Sequence, residues 1–232
     1  MIPIMNPLPD RRTGDDPSLR AVQHVVESDL AAWCDFLNVK LVGPGELLSS
    51  TLPHTSPDLL VRVGPDRLLH TEYFRGTEAD IYTRMLEHRV QIMRRYPQTR
   101  LSQYVVLLGA GRVRMHDDPE AGFFLGLRVV SLPRTDPDEF LRRPNLAPLA
   151  GLAYGDQVTR KRSFVNAFEL TGHLSQEHRL RQLEMIMTLA TANLDPAVHD
   201  SLRQDLGRRP PAPISKFQLS TAADSFIVIH RS

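Results

Sequence analysis

Two apolar runs separated by a short turn constrain the fold of this chain more than any other feature. The first run covers residues 59–63 and the second covers residues 68–74. Both are rich in the β-branched, aliphatic and aromatic residues that strands favour. Residues 64–67 between them (Gly-Pro-Asp-Arg) have the composition of a turn. The sequence therefore predicts a β-hairpin over these two runs.

The hairpin carries one carboxylate on each strand. Asp58 stands at the head of the first run, and Glu72 lies near the end of the second. Two acids at one edge of neighbouring strands can hold a hard divalent cation such as Mg²⁺ or Mn²⁺. Such an ion supplies the water activation and the charge relief that phosphodiester hydrolysis needs. A carboxylate from a flanking helix often completes the shell, and Glu27 and Asp29 are the candidates.

The same spacing has a structural interpretation that stays open at this point. In that case the Asp58 carboxylate would accept hydrogen bonds from the backbone amides of a turn at the end of the strand. Glu72 would form an ion pair with an arginine on a neighbouring strand. Spacing alone favours this second interpretation, because two acids fourteen residues apart are common in proteins.

The elements around the hairpin predict an α/β fold, a mixed central sheet with helices packed against it. Apolar residues recur every three or four positions from Ser18 to Phe36, which predicts one amphipathic helix with Ser18 as its N-cap. A second helix is predicted from Thr77 or Glu78 to Tyr96, where Pro97 stops it. Further strands are predicted over residues 47–52, 104–108 and 123–132.

After Pro133 the pattern becomes helical, and the chain divides into four segments. Helical pieces are predicted over residues 136–142, 161–172, 175–192 and 196–206, and a loop with a helical piece over residues 144–154. The segments are a mobile N-terminal arm (1–17), a core (18–133), a helical extension (134–207) and a linker with a strand-like tail (208–232). Residues 225–229 in that tail are predicted to pair with a sheet edge or with another copy of the chain, so a homo-oligomer is one expectation.

Composition excludes several classes of function. The 28 basic and 27 acidic residues nearly cancel, so any surface that binds nucleic acid must be local. A single cysteine, Cys34, excludes an intrachain disulfide and a cysteine zinc site. The chain shows no signal-peptide pattern and no apolar run of about 18 residues, which predicts a cytoplasmic protein without a membrane partner.

Polar residues on the helix after the hairpin bear on the carboxylate pair. Arg84, Glu87 and Gln91 follow the i, i+3, i+7 spacing and therefore share one stripe of that helix. This stripe is either a solvated face with an intrahelical ion pair or a polar shell that faces Asp58 and Glu72.

A short basic cluster lies further along the chain. It contains Arg160, Lys161 and Arg162, and it is either a solvated helix start or a set of phosphate contacts. Arg75 is a further candidate for contact with nucleic acid.

Several segments together resemble one family. They are residues 69–73 (Leu-His-Thr-Glu-Tyr), 80–81 (Asp-Ile), 84–89 (Arg-Met-Leu-Glu-His-Arg), 94–98 (Arg-Arg-Tyr-Pro-Gln) and 105–108 (Val-Val-Leu-Leu). Over roughly residues 30–155 the chain resembles the Rpn family of recombination-promoting nucleases and transposase-like proteins, in the PD-(D/E)XK nuclease superfamily.

The resemblance implies a restriction-endonuclease-like core and a Mg²⁺-dependent DNA endonuclease linked to recombination or mobile elements. Matched position by position, Asp58 and Glu72 would ligate the metal, and Glu72 would help to activate water. Arg84 and Glu87 match the helix signature and would orient the site, and His70 matches the family histidine.

Phe74 departs from the family pattern at the third motif position, where members carry glutamine or lysine. A phenylalanine side chain can neither orient water nor donate to a phosphate. Either Arg75 or Gln91 acts in its place, or the chain is a catalytically inactive nuclease-fold protein that acts as a DNA-binding or assembly module.

Overall fold

A single mixed β-sheet organises the part of the chain that the computed structural model describes, residues 16–49, 57–76, 81–113 and 126–208. Its strands are β1 (Glu46–Leu47), β2 (Leu59–Gly64), β3 (Arg67–Phe74), β4 (Arg100–Leu107) and β5 (Arg128–Ser131), and they lie side by side in that order. Strands β1 to β3 are antiparallel, whereas β3, β4 and β5 run parallel to one another. The predicted α/β class and the predicted hairpin are confirmed.

The register of the sheet determines where the two acids lie. Leu59 pairs with Thr71 across the hairpin, so the start of β2 lies beside the end of β3. Phe74 at the end of β3 pairs with Leu107 at the end of β4. We call the edge formed by the start of β2 and the ends of β3 and β4 the upper edge. Asp58 directly precedes β2 and therefore lies at this edge.

The first helical segment is two helices, α1 (Pro17–Ser28) and α2 (Leu30–Phe36), so the prediction of one continuous helix was wrong. Asp29 breaks it with non-helical backbone angles (φ −150°, ψ 79°), and its carboxylate accepts a hydrogen bond from the Ala32 amide at 2.9 Å. Ser18 is not the N-cap, because Asp16 holds that position and accepts from the Ser18 amide at 2.8 Å. Short polar side chains at both breaks satisfy amides that no helical carbonyl reaches.

The remaining helices match the predicted order along the chain, and the start predicted at Thr77 or Glu78 lies outside the described residues. They are α3 (Ile81–Arg95), α4 (Asp138–Leu141), α5 (Gln157–Glu169), α6 (Gln176–Asn193) and α7 (Pro196–Arg208), with 3₁₀ turns at Leu132–Arg134, Pro144–Leu152 and Leu170–His173. Most of the N-terminal arm, part of the strand predicted over residues 47–52, and the linker and tail lie outside the described residues.

The two faces of the sheet have different partners. Leu69, Tyr73 and Val106 face the largest hydrophobic cluster, which also contains α1 and the C-terminal helices. The helical extension therefore shares this core with the sheet. Helix α3 covers the opposite face, where Phe74 and Val105 belong to a second cluster.

Burial of Cys34 in α2 leads to a test of this packing. The thiol is buried in the large cluster, and burial raises its pKa to about 11. At pH 8 roughly one thiol in a thousand is then ionised, against about a quarter for an unperturbed cysteine. We expect iodoacetamide to modify the native chain at least 100-fold more slowly than the urea-unfolded chain, as followed by mass spectrometry. Equal rates in both states would contradict the burial of α2.

Candidate metal centre

A layer of polar side chains lies inside the interface between α3 and the sheet. Strand alternation turns His70 and Glu72 of β3 toward α3. Gln103 of β4 faces the same side, and His88 projects toward these residues from α3. All of these side chains are buried. Buried polar groups are stable only when they are hydrogen-bonded, so the contacts within the layer determine its chemistry.

The structure brings Asp58 and Glu72 together at the upper edge. The Asp58 backbone amide donates to Glu72 Oε1 at 3.1 Å, and the Tyr73 backbone amide donates to Asp58 Oδ2 at 2.8 Å. These reciprocal bonds hold the two carboxylates side by side. Glu72 is fully buried, whereas the Asp58 side chain keeps 14% of its surface exposed.

Arg84 of α3 bridges the two carboxylates. Its Nη2 lies 2.9 Å from Glu72 Oε2 and 3.9 Å from Asp58 Oδ1. The guanidinium also lies over the ring of Phe74, 5.6 Å from the ring centroid. One positive charge thus faces two negative charges, in a position that remains 24% exposed.

Two histidines contact the other oxygen of Glu72. His70 Nε2 and His88 Nδ1 each lie 2.9 Å from Glu72 Oε1, and the two nitrogens are 3.3 Å apart. Sequence reasoning missed His88, although it lies one turn after Arg84 and hence on the same side of α3. The three groups could hold a metal ion, because their ligand atoms all lie within 4.8 Å of one another.

Gln103 determines which nitrogen of His70 carries the proton. Its Oε1 accepts from Arg89 at 3.1 Å, so its amide nitrogen is directed to the Met85 carbonyl at 2.9 Å and to His70 Nδ1 at 3.0 Å. His70 Nδ1 must therefore accept, and a neutral imidazole carries its proton on Nε2. That proton is donated to Glu72. Sequence reasoning also missed Gln103, because its partners lie on α3 and β3.

These contacts set the charge of the buried groups. Burial acts to raise the pKa of Glu72, but the hydrogen bonds and charges of His70 and His88 outweigh it and hold that pKa well below its usual range. Burial dominates at His70 and lowers its pKa. Near neutral pH the layer therefore contains an ionised Glu72 and a neutral His70.

Other predicted site residues lie apart from the two carboxylates. Glu87 is exposed on α3, and Gln91 is half-buried further along the same helix. Arg75 contacts Asp16 at 3.5 Å and Asn193 Oδ1 at 3.3 Å, together with the Ala192 carbonyl and the Ser18 hydroxyl. These contacts tie Arg75 to α1 and α6, in the core on the other face of the sheet.

The remaining candidates belong to helices away from α3. Asp29 caps α2 and accepts from Asn145 at 2.9 Å, and Glu27 accepts from Gln23 within α1 at 2.9 Å. The basic cluster of Arg160, Lys161 and Arg162 lies on α5, which packs in the C-terminal helical layer. Lys161 there contacts Asp205 of α7 at 2.7 Å.

Comparisons with models of protein families, with curated proteins and with solved structures find no match to this chain. The resemblance to the Rpn nucleases therefore remains a prediction from the sequence. Of the helices in the described part of the chain, none has both the length and the apolar character needed to cross a bilayer.

Proposed function

We propose that the chain is a metal-dependent phosphodiesterase that acts on DNA, with Asp58 and Glu72 as its central pair. The observation that supports it most directly is the meeting of these two carboxylates at the upper edge, where the Asp58 and Tyr73 backbone amides hold them side by side. The mixed sheet with helices on both faces is compatible with the restriction-endonuclease-like core that the resemblance to the Rpn family implies.

The contacts of each oxygen indicate where Mg²⁺ or Mn²⁺ would be held. Glu72 Oε1 accepts from His70, His88 and the Asp58 amide, while Asp58 Oδ2 accepts from the Tyr73 amide. Glu72 Oε2 and Asp58 Oδ1 both face the Arg84 guanidinium. These two oxygens are the proposed ligands of Mg²⁺ or Mn²⁺, and a bound cation would displace the Arg84 guanidinium from them.

Arg84 then has two roles in the proposal. It neutralises the pair before a metal binds, and afterwards its guanidinium is available to a phosphate oxygen at the partly exposed end of the layer. When bound, the metal would supply charge relief to the phosphate and a water of lowered pKa. Histidines 70 and 88 would keep the Glu72 carboxylate ionised and in a fixed orientation.

The test is plasmid nicking by the purified full chain with Mg²⁺ or Mn²⁺. We expect Asp58→Asn to lower the nicking rate about 100-fold or more, because it removes one of two anionic ligands. Glu87→Gln is the matched control, since it also replaces an acid by its amide but on the exposed side of α3, and it should keep the wild-type rate. Nicking that is unchanged in a correctly folded Asp58→Asn protein would reject the assignment.

A catalytically inactive nuclease-fold protein is the second candidate, and Phe74 is the observation that favours it. The side chain at the third motif position is fully buried in the apolar cluster and packs under Arg84. Under this proposal no metal supports cleavage, yet the chain binds DNA through phosphate contacts. Fluorescence anisotropy with a DNA duplex would then show affinity that falls steeply with added salt, without any cleavage.

A further inference from the structure

We infer that His70, Glu72 and His88 form a second cation position, a transition-metal site of the Zn²⁺ or Co²⁺ class, on the opposite oxygen of Glu72 from the proposed catalytic pair. The inference does not rest on phosphodiester hydrolysis, and it shares only Glu72 with the proposed function.

The geometry of the three ligand atoms is the first argument. His70 Nε2, Glu72 Oε1 and His88 Nδ1 form a triangle with sides of 2.9, 2.9 and 3.3 Å. A divalent ion about 2.1 Å from each of three ligands spans neighbouring atoms roughly 3 Å apart. The triangle therefore fits three corners of one tetrahedral or octahedral shell with small side-chain shifts.

The chemistry of the donors identifies the class of metal. Two imidazole nitrogens and one carboxylate oxygen suit Zn²⁺, Co²⁺ and related transition metals. Mg²⁺ prefers an all-oxygen shell with several waters. The triad should therefore prefer transition metals. The pair formed by Glu72 Oε2 and Asp58 Oδ1 should prefer Mg²⁺, because it offers oxygen ligands alone.

The apolar surroundings of the triad make the side-chain orientations rigid. Phe74, Met85 and Val105 belong to a cluster next to it, and Leu68 and Ile92 belong to another cluster on the same face. All three ligand residues are buried, with His70 and Glu72 fully enclosed. Arg84 and Asp58, which both contact Glu72, have partly exposed side chains. This packing restricts the rotamers of the three ligand side chains.

In the metal-free chain the ligand nitrogen of His70 carries a proton, and a metal must replace it there. His70 donates from Nε2 because Gln103 donates to its Nδ1. When a metal binds Nε2, the proton moves to Nδ1, and Gln103 has to turn its amide oxygen toward that nitrogen. Binding thus costs the present contact between Gln103 Nε2 and the Met85 carbonyl.

This requirement suggests a variant that should strengthen the site. Gln103→Glu places a carboxylate oxygen beside His70 Nδ1, the arrangement that supports many metal-bound histidines. The new carboxylate also retains a partner in Arg89, which already donates to Gln103 Oε1 at 3.1 Å. We expect the affinity for Co²⁺ to rise about tenfold in this variant.

The experiment is a titration of the full metal-free chain with Co²⁺, followed by its visible absorption, and then displacement by Zn²⁺. We expect one ion per chain in the wild type and in Asp58→Asn. His88→Gln should bind at least about 100-fold more weakly, because it removes a direct ligand. His178→Gln on the exposed start of α6 is the matched control and should bind like the wild type. The thermal midpoint without metal shows whether each variant is folded.

Two results would overturn the inference. One is a folded wild-type chain that shows no Co²⁺ spectrum at a tenfold excess of metal. The other is binding that Asp58→Asn abolishes and His88→Gln leaves unchanged, which would place the ion at the carboxylate pair. Failure of the proposed function looks different, since Co²⁺ would bind to the triad while DNA stays uncut with Mg²⁺ or Mn²⁺.

Discussion

Replacing Glu72 by glutamine is expected to lower the free energy of unfolding by about 3–5 kcal/mol. The carboxylate accepts on one oxygen from His70, His88 and the Asp58 amide, and it faces Arg84 with the other. A glutamine of the same shape has one oxygen and one NH₂ group. Whichever way the amide is turned, its NH₂ meets donors, either the histidine protons or the guanidinium. The variant therefore leaves buried donors unpaired and removes the fully buried negative charge that faces Arg84.

Urea unfolding of the metal-free chain, followed by circular dichroism, measures this effect. Glu87→Gln makes the same chemical change at an exposed position of α3 and should change the free energy of unfolding by less than about 0.5 kcal/mol. Adding Arg84→Met to Glu72→Gln should recover part of the loss, because the unpaired guanidinium is then absent. A loss below about 1 kcal/mol in Glu72→Gln would mean that the buried network does not exist as described.

The location of the carboxylate pair could be predicted because it depends on local sequence. A turn at residues 64–67 between two apolar runs sets an antiparallel register, and that register alone brings the start of β2 beside the end of β3. The same reasoning places Arg84 on the helix that follows. The strands β2 and β3 and the helix α3 are consecutive in the sequence, so contacts among them can be predicted without knowing how the rest of the chain folds.

Gln103 could not be predicted in the same way, because its partners lie on α3 and β3. His88 shares a side of α3 with Arg84, but nothing in the sequence marks it as a site residue. Gln103 reaches His70 only after α3 has crossed over and β4 has paired in parallel with β3, with His70 directly opposite Gln103. A lone histidine on a helix and a glutamine in an apolar strand each have ordinary interpretations in sequence. Their chemistry emerges from the packing of α3 on the sheet, where the two apolar clusters leave room for a polar layer.

The break at Asp29 was missed for a related reason. The apolar spacing continues through it from α1 into α2, so periodicity predicts one helix. Asp29 can nevertheless leave the helix, because its two carboxylate oxygens are satisfied by the Ala32 amide and by Asn145, a residue far along the chain. The contact with Asn145 thus stabilises a helix break that the apolar periodicity of the sequence does not reveal.

Replacing Phe74 by glutamine, the residue of the family motif, is expected to destabilise the chain rather than restore a motif. Phe74 is fully buried with Ile81, Met85 and Val105 around it. Loss of an aromatic side chain from such a site costs about 3–5 kcal/mol through lost burial and incomplete filling of the space. The amide also needs partners, and the Arg84 guanidinium, which lies over the Phe74 ring, is one charged group close to it.

Phe74→Leu separates the contributions of volume and polarity. Leucine keeps an apolar side chain in the cluster, so we expect a loss of about 1–2 kcal/mol in urea unfolding, clearly less than for glutamine. A glutamine at position 74 would offer its oxygen to Arg84, which already serves Glu72 and Asp58. This glutamine would compete with Glu72 and Asp58 for the Arg84 guanidinium instead of approaching a substrate. The nicking rate per folded molecule should therefore not rise. A stable Phe74→Gln protein that cuts DNA faster than the wild type would instead show that position 74 can supply the motif amide, and that phenylalanine is what limits this site.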